Sequence, residues 1–155
     1  MIVYEDSKRC FVEDIKSNCI ADKITAKIRE RGINAGHERE YISWQNSLQF
    51  MRNIVDDNDI DDEVRIAIEY NIPLTSKRVD FIICGADANN NDNVVVVELK
   101  QWQKAEVVAD DMHYCVKTFV GRNNRIVCHT SYQAYSYACL IRNYSQKVLH
   151  DGINL

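Results

Sequence analysis

Three charged residues stand where strand-forming sequence should not hold them. Asp80 lies between Val79 and Phe81 in VDFIICG, residues 79–85, and Glu98 and Lys100 close the run VVVVELK, residues 94–100. Four successive valines read as the middle of a buried strand. Strand alternation then puts Glu98 and Lys100 on one face, with Val97 and Leu99 on the other. By the same rule Asp80 points away from Val79 and Phe81. A buried carboxylate without a partner is strongly unfavourable, so each acid needs a cation, a donor or an exposed sheet end. If the two strands are neighbours, two carboxylates and an ammonium converge. The carboxylates repel each other, and a divalent cation relieves the repulsion. Mg²⁺ suits such a place, because it takes one or two carboxylates together with waters and substrate phosphate oxygens; Mn²⁺ accepts the same oxygen donors. The lysine can hold or polarise an attacking water, or balance charge on phosphorus. The chemistry is metal-assisted phosphodiester hydrolysis.

Other residues are candidates for the same site. Glu40 and Glu69 compete as a further acid. Gln133 and Tyr137 are four apart, hence on one face of a helix. Lys77 and Arg78, beside Asp80, can grip a phosphate, and Lys104 is a third candidate contact. Plainer readings stand beside these. Glu98 and Lys100 read equally as an ion pair at an exposed strand end, and Asp80 as a strand-start residue bonding a turn amide. Gln133 fits a capping box opened by Thr130. Tyr137 suits a core, Glu40 a solvated helix, Glu69 an exposed strand position, and Lys77 and Arg78 a solvated turn.

Hydrophobic periodicity supplies the elements that position these residues. Phe11, Ile15, Ile20, Ile24 and Ile28 recur at helical spacing up to Arg31-Gly32, which predicts a helix over about 11–31. Tyr41, Trp44, Leu48, Met51 and Val55 predict a second over 38–55. Alternation of Val64, Ile66, Ile68, Tyr70 and Ile72 opens a sheet spanning 64–100, with VDFIICG and VVVVELK as its next strands. Residues 113–128 predict a hairpin turning at GRNN, and a last helix follows over 131–148. The order predicts an α/β (α+β) domain spanning 1–155, with a central mixed sheet flanked by helices and a β-hairpin inserted before the last helix. In DDNDIDDE, Asp57, Asp59 and Asp61 occupy the first ligand positions of a calcium loop. The sixth position is Asp62 rather than Gly and the twelfth is Ile68 rather than Glu, so the loop reads as a solvated connection.

Composition bounds the rest. The chain has 155 residues, 46% of them apolar and 27% charged, a globular profile. No apolar run reaches the roughly 18 to 20 residues of a membrane span, and MIVYEDSKRC has no signal-peptide core, so a cytoplasmic protein with no membrane partner is expected. Six cysteines without a CxxC pair predict reduced thiols and no zinc ribbon. His37, His113, His129 and His150 show no ligand spacing. No GxxxxGK is present, so no nucleotide cofactor is expected in this chain. The net charge of −4 argues against nonspecific coating of nucleic acid. The sequence also admits a homodimer and leaves the choice between DNA and RNA open.

RVD at Asp80, Glu98-Leu99-Lys100 and Gln133-Ala-Tyr-Ser-Tyr137 together resemble the motifs of the PD-(D/E)XK nuclease superfamily, in its RecB-like QxxxY branch. The resemblance implies a restriction-endonuclease-like core and a metal-dependent nuclease acting on DNA or RNA. It implies metal ligands at Asp80, Glu98 and the Leu99 carbonyl, and catalytic roles for Asp80, Glu98, Lys100, Gln133 and Tyr137. Glu40 matches the helical acid of the family. Iron–sulfur relatives in this branch carry clustered C-terminal cysteines; Cys128 and Cys139 form no such cluster, so no iron–sulfur cluster is expected. REYISWQNSLQFM, IEYNIPLTSKRVDFIICG, VVVVELKQWQKAE and HTSYQAYSYA are similar to the N-terminal domain of bacterial proteins that continue into a Schlafen group 3-like DNA/RNA helicase. That similarity implies a C-terminal helicase domain as partner and a longer natural chain. A non-catalytic binding or docking module of a helicase is the alternative. His129-Thr130 departs from the expected His-Pro, which bears on the start of the helix rather than on the chemistry.

Overall fold

Ser7 starts the helical part of the chain by accepting a hydrogen bond from Cys10 N at 3.3 Å. The computed structural model describes residues 2–32, 38–108 and 112–155. Helix α1, Lys8–Lys16, follows the Ser7 cap, and α2 runs Ile20–Glu30. The single helix expected over 11–31 is therefore two. Asn18 takes a left-handed φ of 54° between them. The step from Ile15 to Ile20 is five residues, one too many for a continuous apolar stripe, and the break accommodates it. Helix α3, Glu38–Val55, buries Trp44, Leu48, Met51 and Val55.

A strand that sequence periodicity missed, β1 (Tyr4–Ser7), pairs with β2 (Arg65–Asn71). Next come β3 (Arg78–Ala86) and β4 (Asp92–Val97), giving the order β1-β2-β3-β4 with every neighbouring pair antiparallel. The expected mixed sheet is corrected on this point: the only parallel pairing among the described residues is an isolated bridge between Asn93 and Asn154. The valine run is corrected too. It lies on the outer strand, none of its four valines is fully buried, and Val95 is half exposed. The strand stops at Val97, so Glu98 and Lys100 follow it rather than belonging to it.

The chain then forms β5 (Ala105–Val107), β6 (Cys115–Val120) and β7 (Asn123–Cys128), a second antiparallel sheet. The hairpin turn is Gly121-Arg122, with φ of 61° and 74°, the pattern of a type I′ turn. The asparagines of GRNN belong to β7. Helix α4, Thr130–Tyr144, ends at Ser145, which caps the short α5, Gln146–Asp151, in place of one helix to residue 148.

Helices α1–α3 pack on one face of the first sheet around Phe11, Ile24, Leu48, Ile66, Ile68 and Phe81. Helix α4 covers the other face through Tyr137, against Ala67, Ile72, Val79 and Ile82. The result is three layers, helix on sheet on helix. DDNDIDDE closes over the buried ammonium of Lys8, which donates to the carbonyls of Asp57 (2.7 Å) and Ile60 and pairs with Asp62 at 3.2 Å. The acidic loop remains a largely solvated connection, as expected, and also serves an interior lysine. Among the described residues no helix is long and apolar enough to cross a membrane.

Candidate active site

The sheet register brings the acids together. Phe81 pairs with Val97, so the residue before Phe81 and the residue after Val97, Asp80 and Glu98, come side by side. In the next pairing, Ile68–Phe81 and Tyr70–Val79 bracket Glu69 opposite Asp80. Glu69, Asp80 and Glu98 therefore form a row across three adjacent chain segments.

Glu69 is also where the sheet loses its regular alternation. Its φ is +58°, left-handed for a residue with a full side chain. Before it, Ile66 and Ile68 pack toward α1–α3; after it, Tyr70 and Ile72 pack toward α4. On β3, Val79 packs toward α4 and Phe81 toward α1–α3. Two expectations are corrected here: Ile66 to Ile72 do not share one face, and Asp80 does not simply oppose Val79 and Phe81.

Glu98 is the centre of the site, its side chain 1% exposed. Its Oε2 accepts from Lys100 Nζ at 3.1 Å and from Gln133 Nε2 at 2.7 Å. Gln133 Nε2 also donates to Tyr137 Oη at 3.0 Å. Asp80 Oδ2 accepts from Leu99 N at 2.9 Å and lies 3.9 Å from Lys100 Nζ. Burial, and then the charge of Asp80, push the Glu98 carboxyl up to about 7, against the opposing pull of Lys100. The capping-box reading of Gln133 is overturned: His129 caps α4 by accepting from Ser131 N at 3.1 Å, leaving the Gln133 side chain for Glu98. Thr130 takes the first helical position, where proline would be tolerated. Tyr137 has its ring in the core and its hydroxyl on Gln133.

A cleft of about 240 Å³ opens beside Asp80 and Lys100, lined also by Glu40, Trp44, Glu69 and Arg78. Glu69 is buried. It accepts from Trp44 Nε1 at 2.6 Å and pairs with Arg78 Nε, while the far side of that guanidinium reaches Glu40 at 3.3 Å. Burial raises the Glu69 carboxyl from its ordinary range, opposed by Arg78 and the Trp44 bond. The exposed-strand reading of Glu69 is thus corrected, and so is the solvated-turn reading of Arg78, which opens β3 and pairs with two carboxylates. Trp44 was expected only as core; its indole donor is a site feature that apolar periodicity hides. Lys77 lines a separate groove with Gln133 and Tyr137. Lys104 is exposed and pairs with Glu106 at 2.6 Å. Leu99 contributes its N–H to Asp80. His37 lies outside the described residues.

Glu98 Oε1 is buried and makes no hydrogen bond among the described residues. An orphaned carboxylate oxygen beside a second carboxylate suits a hard divalent cation. Among the described residues no three His, Cys, Asp or Glu side chains group to hold a metal. The protein would therefore supply two carboxylates, with water and substrate oxygens as the remainder, a donor set that fits Mg²⁺ or Mn²⁺.

No family model matches the chain, and no curated protein or solved structure matches it.

Proposed function

We propose that this domain is a metal-dependent nuclease that hydrolyses phosphodiester bonds of DNA or RNA. The observation that carries the reading is the buried, unpartnered Glu98 Oε1 beside Asp80, with Lys100 within reach of both acids. Asp80 and Glu98 would hold Mg²⁺ or Mn²⁺. Such an ion supplies Lewis-acid polarisation of the phosphate and offsets developing charge. Lys100 as an ammonium has donors only, so it steadies the attacking water and the phosphate charge without taking the proton. Gln133 fixes the Glu98 carboxylate, and Tyr137 fixes Gln133. The resemblance to helicase-associated domains supports a role in nucleic-acid processing, repair or defence beside a helicase motor.

The test is cleavage of labelled single- and double-stranded DNA and RNA with Mg²⁺ or Mn²⁺. Lys100→Ala and Asp80→Ala should each lower the rate by roughly 100- to 10,000-fold while the thermal transition stays cooperative. Cleavage that survives both substitutions refutes the reading. The pairing of Lys100 with Glu98, and of Arg78 with Glu69 and Glu40, favours a second reading in which a charge-balanced cleft binds without cutting. Calorimetric titration with Mg²⁺ separates the two, since absence of binding at millimolar metal supports the second.

A further inference from the structure

The charge of the chain is unevenly placed. Residues 112–150 hold five Lys or Arg and no Asp or Glu, whereas the remainder holds 14 basic and 23 acidic residues. A segment of +5 thus sits in a chain of −4. The same segment forms β6, β7 and α4, and its exposed large side chains are predominantly aromatic: Tyr114, Phe119, Tyr132, Tyr135 and Tyr144.

Three of these tyrosines form a surface. Tyr114 stacks on Tyr132 with ring centroids 4.4 Å apart and planes 29° apart, and Tyr132 lies 6.4 Å from Tyr135. Tyr132 and Tyr135 are one turn apart on α4. The Tyr114 carbonyl accepts from His129 N at 2.7 Å, which ties the hairpin to the start of that helix. Tyr114 is 61% exposed and Tyr135 64%, so broad ring area faces solvent without filling a core. Side chains of His113 and His129 border the rings. Tyr132 and Tyr135 also line the groove that holds Lys77 and Gln133, and Gln133 donates to Glu98. The aromatic surface therefore continues into the candidate active site.

We infer that Tyr114, Tyr132 and Tyr135 form a stacking platform for the bases of a single-stranded nucleic acid, whose backbone follows the groove past Lys77 toward Asp80, Glu98 and Lys100. Exposed rings beside a groove lined by Lys77 and by no Asp or Glu match what an unpaired strand offers: flat bases and regularly spaced phosphates. A duplex keeps its base faces stacked internally and has none to place on the rings. The inference rests on the nuclease reading for the direction of the strand, and on the tyrosines alone for binding.

The experiment uses fluorescence anisotropy of labelled dT12, rU12 and a 12-bp duplex with the full chain in EDTA, where no metal-dependent cleavage occurs. Tyr132→Ala and Tyr135→Ala should each weaken single-strand binding roughly 5- to 100-fold, and Tyr132→Phe should restore it. Comparing dT12 with rU12 distinguishes DNA from RNA as the source of the strand. Because Tyr135 is largely exposed, its variant keeps the test valid if Tyr132→Ala fails to fold. Equal binding of duplex, or single-strand affinity unchanged in Tyr135→Ala and in folded Tyr132→Ala, overturns the platform. So does a tyrosine-dependent self-association in sedimentation velocity without oligonucleotide binding, which would make the surface a protein interface. Tyrosine-dependent strand binding in a chain that never cleaves leaves the platform standing and removes the nuclease reading. Cleavage with tyrosine-independent binding does the reverse.

Discussion

Replacing Glu98 by glutamine should make the protein more stable at pH 8 and leave it little changed at pH 5. The folded carboxyl titrates at about 7, against 4.5 for an unperturbed glutamate. Below the lower value both folded and unfolded chains carry the proton. Between the two values the unfolded chain releases it while the folded chain keeps it, so rising pH favours unfolding. Above the upper value the whole cost is present, about 3 kcal/mol for a displacement of this size. In a domain of this length that is about 6 to 12 °C in melting temperature. Glu98→Gln keeps an oxygen to accept from Gln133 and cannot ionise. The difference in stability between variant and wild type should thus widen by about 2.5 kcal/mol in the variant's favour from pH 5 to pH 8. The raised carboxyl of Glu69 acts in the same direction but is present in both proteins and cancels. Mg²⁺ should counteract the loss in the wild type at pH 8, by about 2.7 kcal/mol at a hundred times its dissociation constant, and do little at pH 5, where Glu98 holds its proton. Thermal unfolding by circular dichroism from pH 5 to 8.5, with and without Mg²⁺, measures both effects. Parallel pH curves for the two proteins refute the burial argument, and equal Mg²⁺ stabilisation of Glu98→Gln refutes the assignment of Glu98 as a ligand.

Arg78→Ala removes the cation paired with buried Glu69 and should cost about 2 to 4 kcal/mol at pH 8, below the full figure for a buried pair because Arg78 is partly exposed. Urea unfolding should show a smaller cost at pH 5, where Glu69 more readily takes up a proton. Tyr137→Phe deletes the hydroxyl that receives Gln133 Nε2, and should cost about 1 kcal/mol in the same assay. It should also lower cleavage more than substrate affinity, since the hydroxyl acts through Gln133 on Glu98; a change in affinity alone would contradict that role. Gly121→Ala should cost about 1 kcal/mol, from its φ of +61° alone, because an added Cβ meets only the Arg125 guanidinium at 3.6 Å. Differential scanning calorimetry checks this, and an unchanged transition would mean the hairpin tip adjusts freely.

The parts of this architecture legible from sequence are those set by local patterns. Trp44, Leu48, Met51 and Val55 step along one face of α3 as periodicity requires. Asp80, Glu98 and Lys100 declared themselves because charged groups interrupt apolar runs, whereas Gln133 and Tyr137 were legible only through the resemblance to a Gln-x-x-x-Tyr motif; the structure brings all five into one connected set. Tyr4–Ser7 was hidden because YEDS is short and polar; it is a strand only because β2 offers an edge to it. The valine run misled for the opposite reason. Its β propensity is high wherever it lies, and only the strand order shows that it is an outer strand with Val95 toward solvent. Glu69 was legible as a candidate acid, but its burial was not, because alternation assumes extended backbone at every residue and its φ is +58°.

That one irregular residue explains why the acids gather where they do. A left-handed conformation in a residue with a Cβ costs about 1 to 3 kcal/mol and persists only where surroundings hold it. Here Trp44 and Arg78 hold the Glu69 carboxylate from α3 and β3. Had β2 kept its alternation, Tyr70 and Ile72 would follow Ile66 and Ile68 onto the α1–α3 face. The core would then extend past Asp80 and bury its carboxylate, which is strongly unfavourable. Instead the faces exchange at Glu69, β4 stops at Val97, and the sheet gives up a continuous apolar surface along the row Glu69–Asp80–Glu98. Helices on opposite sides close on that row, α3 through Trp44 and α4 through Gln133. Each anchors a different carboxylate, so Asp80 lies between two fixed acids and stays partly open to the cleft. Asp80, partly open to the cleft, and the buried unpartnered oxygen of Glu98 would together hold a cation there, so Asp80→Asn and Glu98→Gln should each weaken Mg²⁺ binding in calorimetry, and unchanged binding in both would remove the row as a metal site.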